Sequence, residues 1–255
     1  MNDHLIDQTT GLTKKERREL RHQEKLDRQQ MAVRRGSWRR LAIWGGVIVG
    51  LVVIVWGLIL LAGNSAVTSI SIDGTIDPSD HVRGNPAANV VVIEYSDFQC
   101  PACKYYEPML SRLSADFGDQ IALVYRHFPL TTIHANAQVA AQAAEAAAIQ
   151  GKFWEMHDRL FDQQTTWATE RNPIDLFRGY AQELGLNVEQ FNSDYSSREV
   201  RGVISRHVAS ARAANLPGTP SIFINGQLID NPRDYESLQA MVQSALATGA
   251  AAVSR

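Results

Sequence analysis

Cys100 and Cys103 are the only cysteines in the 255-residue chain, and two residues separate them in Phe98-Gln99-Cys100-Pro101-Ala102-Cys103-Lys104. An apolar run, Val90 to Ile93, leads into this stretch with Tyr95 and Phe98 following; Tyr106, Leu110, Leu113 and Phe117 recur beyond it at steps of four, three and four. The pair therefore falls at a strand-to-helix junction, with Cys100 near the helix N-terminus and Pro101 suited to the first helical position. Unpaired backbone N–H groups and the positive end of the helix dipole favour thiolate over thiol there, so the Cys100 pKa is expected to be depressed. A thiolate is the attacking species in disulfide exchange. Cys103, one turn further in and less exposed, is expected to be the resolving thiol.

Two plainer readings compete. Half of a zinc site would need two more ligands, and His127, His134, His157 and His207 are available, although none falls in a recognised finger spacing. A purely structural disulfide is the other reading, but a ring closed over two residues restricts little of the unfolded chain and adds little stability.

The elements that must carry the pair are legible in outline. Ile121 to Phe128 reads as a second strand. Pro108 removes the bond to the carbonyl of Lys104 and should kink the first helix. A helical block follows: Ala135 to Ile149, Ala-rich and ended by Gly151; a helix marked by Phe153, Met156 and Leu160; one opened by Asn172-Pro173 and stopped at Gly185; and a pair over Val188 to Asp194 and Arg198 to Ala214. The Ala-rich helix reads as structural. Ser221 to Ile229 is a strand, an Asn225-Gly226 turn and a second strand, and the chain closes with a helix near Tyr235 to Ala247. Alternation along the first strand directs Glu94 beneath the cysteines and Asp97 to the other face, and Lys104 reads as solvated.

The run Gly84-Asn85-Pro86, then Val90 to Cys103, resembles the thioredoxin-fold core of the DsbA-like thiol:disulfide oxidoreductases. Arg126-His127-Phe128-Pro129-Leu130, Gln150-Gly151-Lys152-Phe153-Trp154 and Gly218-Thr219-Pro220-Ser221 resemble that family in order and spacing. The resemblance runs from about residue 84 to about 248. It implies an α/β thioredoxin fold with an inserted helical subdomain, spanning about 134–214. It also implies a redox-active Cys100–Cys103 disulfide with no further cofactor and no metal, and an enzyme that forms disulfides in exported proteins. Taken alone, Pro220 would be a trans residue opening a strand; the resemblance makes it cis and facing the disulfide, with Thr219 offering its backbone to substrate. Glu94 becomes an acid that assists proton movement to and from Cys103. A histidine common between Pro and the second Cys in strong oxidases is replaced here by Ala102, so the Cys100 pKa is expected between the ~7 of thioredoxin and the ~3.5 of DsbA. A reductase or isomerase of the same fold, or a non-enzymatic peptide-binding holdase, are the alternatives.

Charge is unevenly distributed. Residues 1–40 hold 11 Lys/Arg and 6 Asp/Glu, a net of +5; the remaining residues hold 14 and 21, a net of −7, for the total of −2. An acidic folded part argues against nucleic-acid binding. The tail reads as solvated, with Thr13-Lys14-Lys15-Glu16 as a capping box of a short charged helix. Leu41 to Ala62 is 22 residues without a charge, long enough to cross a hydrocarbon core of about 30 Å at about 1.5 Å per residue. It is longer than a cleavable signal's apolar region, so a signal anchor is expected. Arg34, Arg35, Arg39 and Arg40 precede it, and no Lys or Arg lies between Leu41 and Val82. The tail (1–40) is thus expected in the cytoplasm and the C-terminal part outside, as a single-pass protein of the cell membrane. Residues 63–83 read as a linker, with Ile70 and Ile72 suggesting a small edge hairpin, before the catalytic domain at 84–255. No dimerisation domain fits, so a monomer is expected, recharged by a quinone-linked membrane partner and acting on exported proteins with cysteine thiols.

Overall fold

The computed structural model describes residues 72–253, together with Lys25 and ten positions between 44 and 56. The chain divides into two units, Met1–Val67 and Thr68–Arg255. In the first, the described positions between 44 and 56 are helical, and Trp44, Val47, Val49, Leu51, Val53, Ile54 and Trp56 are exposed. Among the described residues no helix is long and apolar enough to cross a membrane. The expected span at Leu41 to Ala62 lies largely outside the described residues, as do the expected tail helix and Ile70.

The second unit is built on a five-stranded sheet of order β1-β3-β2-β4-β5: β1 is His81–Gly84, β2 Val90–Ser96, β3 Ile121–His127, β4 Ser221–Ile224 and β5 Gln227–Leu228. The β-branched run Val90 to Ile93 takes the centre. It pairs parallel with β3 and antiparallel with β4. Between β2 and β3 runs the helix α1, Pro101–Phe117, which continues through Pro108 and stops at Gly118. Five helices follow β3: α2 Ala137–Ile149, α3 Phe153–Asp162, α4 Gln164–Trp167, α5 Ile174–Glu183 and α6 Val188–Tyr195. Then come α7 Arg198–Ala213 before β4, and α8 Tyr235–Val253 after β5. The short α4 has no counterpart in the sequence reading, because four residues carry no helical period.

Alternation along the strands divides the core. Val90, Val92, Ile121, Leu123, Ile222 and Ile224 pack with Leu110 and Leu113 of α1 and Leu238 and Val242 of α8. On the other face, Ile93, Tyr95, Val124 and Phe223 pack with Ala211 of α7. Seven alanines of α2 are buried, and the helical insertion has a core of its own in which Trp167, Phe177 and Phe191 are sealed. Both cysteines belong to that cluster.

The stretch read as a linker contributes a strand. β1 pairs antiparallel with β3, His81 opposite Tyr125 and Gly84 opposite Ala122. His81 stacks on Phe153 at 3.5 Å between ring centroids, and Trp154 Nε1 donates to the Val82 carbonyl at 3.1 Å. Phe153 and Trp154 thus hold the edge strand from outside the sheet. In place of an edge hairpin, Ile72 N donates to Gly226 O at 2.8 Å, and the described residues 72–80 hold no strand. Asn225 and Gly226 both have positive φ, 48° and 79°, as a two-residue hairpin turn requires. A Cβ at Gly226 would meet the Ile72 carbonyl oxygen at 2.5 Å, so glycine is dictated there twice over.

Candidate active site

Cys100 is the N-cap of α1, with extended φ −71° and ψ 123°, and Pro101 follows at the first helical position. Asp97 fixes the entry. Its carbonyl accepts from Cys100 N at 3.0 Å, Oδ1 accepts from Gln99 N at 2.8 Å, and Oδ2 accepts from Leu130 N at 2.9 Å and faces His134 Nδ1 at 2.7 Å. A residue that alternation assigns merely to the opposite face is therefore a buried clamp on the loop before the sulfur.

The two sulfurs differ in surroundings. Cys103 is fully buried, whereas Cys100 keeps 7% of its surface. Both are free thiols. The Cys100 pKa is brought down to about 5, first by hydrogen bonding from the Cys103 thiol, then, against the cost of burial, by the Cys103 and Ala102 backbone N–H groups and by Thr219. The helix-terminal N–H groups act as the sequence suggests, but the partner thiol contributes most. Burial pushes Cys103 well above the ordinary thiol range, and the hydrogen bond to Cys100 and the nearby Glu94 charge add to it. One sulfur is thus prepared as a thiolate and the other as a thiol that holds its proton.

Thr219 and Pro220 lie against this pair. The Thr219–Pro220 peptide is cis, and Cys100 Sγ donates to the Thr219 carbonyl at 3.6 Å. Thr219 Oγ1 is buried without another partner, which leaves its hydroxyl free to turn to a thiolate. Glu94 follows Val90 and Val92 on the face covered by α1, opposite Tyr125 and Ile222. It is buried, its Oε1 is unpartnered, and burial raises its pKa to about 8, with only the nearby Ser96 hydroxyl opposing. Lys104 reaches the Asp162 carbonyl at 3.4 Å and remains partly exposed.

Sequence reasoning passed over Gln164. Its Nε2 donates to the carbonyls of Phe98 at 2.7 Å and Cys100 at 3.0 Å. A polar side chain in a four-residue helix gives no signal of this, since its partners lie 66 and 64 residues away in sequence.

Among the described residues, two groups offer metal ligands, His81 with His127 and Glu145, and Glu107 with His157 and Asp158. Neither contains a cysteine. Both groups are already knit by internal bonds. Glu145 Oε1 lies 2.7 Å from both His81 Nε2 and His127 Nε2, and His157 Nδ1 lies 2.8 Å from Asp158 Oδ1.

A family model described as Thioredoxin matches residues 77–244. A curated protein from Salinispora tropica, "Na(+)/H(+) antiporter NhaA 3", is 44% identical over 174 residues, which cover 68% of this chain and 26% of that protein. The chain thus spans about a quarter of the length of the curated relatives it matches. Among solved structures, a thioredoxin-like oxidoreductase from Silicibacter pomeroyi is 30% identical, with a TM-score of 0.57, over 69% of this chain and 95% of that one. The α-DsbA1 of Wolbachia pipientis shares the fold at 17% identity and a TM-score of 0.63, over 71% of this chain and 100% of that one.

Proposed function

Because the chain belongs to the thioredoxin family and shares its fold with DsbA-like proteins, we propose that it is a thiol:disulfide oxidoreductase that forms disulfides in exported proteins. The observation that carries this reading is the asymmetry of the pair: Cys100 held down to about 5 at a helix N-terminus, Cys103 buried and held up. In the oxidised enzyme a client thiolate attacks Cys100 Sγ, the Cys100–Cys103 bond breaks, and Cys103 leaves as a thiolate that takes up a proton. Glu94, whose pKa of about 8 lets it hold or release a proton near neutrality, supplies and recovers that proton. A second client thiolate then attacks the mixed disulfide, Cys100 leaves, the client keeps its new disulfide, and the two electrons stay on the enzyme as a dithiol. No cofactor beyond the Cys100–Cys103 disulfide and no metal enters this cycle. Thr219 and Pro220 present the backbone against which an extended client pairs.

Direction follows from the same asymmetry. A thiolate stabilised in the reduced enzyme makes its disulfide a better oxidant, which favours oxidation over the reductase and isomerase readings. A pKa of about 5 lies within the window expected with Ala102 in place of histidine. The cycle needs an oxidant to recharge the dithiol, and a quinone-linked membrane partner supplies it in this proposal.

In this proposal the catalytic domain lies outside the cell as a monomer, anchored through 41–62, with the 1–40 tail inside; the four arginines before the uncharged run support that orientation. Protease added to intact spheroplasts should digest the domain and spare the tail; a released mature form beginning near residue 66 would refute the anchor. The test of the chemistry is trapping: Cys103→Ser should accumulate mixed disulfides with exported proteins and Cys100→Ser should not. The opposite pattern would invert the two roles.

A further inference from the structure

The helical insertion reaches the redox pair through buried amides. Gln164, at the start of α4 and itself buried, donates from one nitrogen to the carbonyls of Phe98 at 2.7 Å and Cys100 at 3.0 Å. Gln99 and Asn136 brace the same loop: Gln99 Nε2 donates to Ala168 O at 2.8 Å, Gln99 Oε1 accepts from Asn136 N at 2.6 Å, and Asn136 Nδ2 donates to Glu170 O at 2.8 Å. The peptide between Cys100 and Pro101 has no N–H. It can be hydrogen-bonded only through the Cys100 carbonyl, which also accepts from Lys104 N at 3.2 Å. Holding that carbonyl fixes ψ of Cys100 at 123°, and ψ decides where the following N–H groups lie relative to its Sγ.

We propose that Gln164 is a positioning residue for thiol–disulfide exchange: by holding the Cys100 carbonyl it aims the Ala102 and Cys103 N–H groups at Cys100 Sγ, so that the helical insertion helps set the redox poise of the pair. This role presupposes the thiol chemistry proposed above and assigns part of its tuning to an element outside the thioredoxin core. A merely structural amide would destabilise the oxidised and reduced proteins alike. The reduction potential reports their difference, and would not move.

Gln164→Met keeps the length and removes the donor. The midpoint for thiolate formation at Cys100 should rise by about one unit, and the equilibrium with glutathione should shift about tenfold toward the oxidised enzyme, a fall in potential of about 30 mV. Gln164→Leu removes the amide altogether and should raise the midpoint by a similar amount. It also carries the test if the methionine variant does not fold. Thr166→Ala, on an exposed part of the same helix, should change neither quantity. Variants that fold and exchange thiols with the wild-type midpoint and potential would overturn the role, as would failure of both to fold, which would assign Gln164 to the fold alone. A wild-type protein with no measurable equilibrium against glutathione would instead refute the thiol-exchange reading, whatever the variants do.

Discussion

Glu94 and Glu145 are the same residue type, each with 4% of its surface exposed, yet they behave in opposite ways. Glu145, on α2, receives His81 and His127 at 2.7 Å each, and these partners outweigh burial to hold its carboxyl down to about 2. Glu94, on β2 beneath the active-site helix, has only Ser96 against burial and is pushed up to about 8. Burial alone does not say what a buried acid is for; the count of its donors does. The paired acid joins the sheet to the helical insertion. The unpaired acid lies beneath the helix that carries the cysteines, where the proposed cycle calls for a group that holds and releases a proton near neutrality.

The largest way to break this contrast is to delete each acid in turn. Glu145→Ala leaves the His81 and His127 imidazoles without their acceptor around an empty position in the core and should cost about 1–3 kcal/mol in urea unfolding. Glu94→Gln removes a buried group with almost no partners and should leave stability near neutral pH unchanged or raised. Equal losses at the two positions would show that Glu94 has a counter-charge after all.

A pH series sharpens the same comparison. The folded protein keeps the Glu94 proton up to about 8 while the unfolded chain loses it near 4.5, so wild-type stability should fall as pH rises through that window. Glu94→Gln should abolish this fall, and its advantage over wild type should grow from pH 5 to pH 8 to something on the order of 3 kcal/mol. Glu145 works the other way. Its stabilisation is present above about 4.5 and should disappear as pH falls toward about 2. Urea unfolding of wild type and both variants at pH 3, 5 and 8 checks both signs.

How far these residues could be read beforehand follows the range of their partners. The Cys-x-x-Cys junction, the period of α1, the Asn225-Gly226 hairpin and the placement of Glu94 all arise from neighbours within a few residues, and the sequence shows them directly. Glu145 was hidden in a helix that reads as structural, because its partners lie 64 and 18 residues away and alanine periodicity masks a single acid. Asp97 was assigned a face but not its clamp, which depends on Leu130 and His134 across the sheet's end. His81 to Arg83 read as linker because so few residues of mixed polarity show no strand period; with Gly84 they form a strand only where β3 offers an edge and Phe153 and Trp154 cover it.

Smaller effects concern rate and poise. Glu94→Gln should slow client oxidation at neutral pH by at least about tenfold through loss of proton transfer at Cys103, while leaving the Cys100 midpoint nearly in place. Ala102→His should lower that midpoint and raise the reduction potential together, by about 30 mV for each unit of pKa. Thr219→Val, which removes a hydroxyl free to turn to the thiolate but adds no charge, is the paired control and should move the potential downward, if at all. A histidine that changes neither quantity would show that this position does not set the poise.

The most direct measurement is the pH dependence of alkylation of the reduced protein, with the modified cysteine identified by peptide mapping. Cys100 should react first and alone, with a midpoint near 5, and Cys103 should stay unmodified across the neutral range. A midpoint near the ~8.5 of a free thiol, or modification of Cys103 ahead of Cys100, would contradict the assignment of Cys100 as the prepared thiolate.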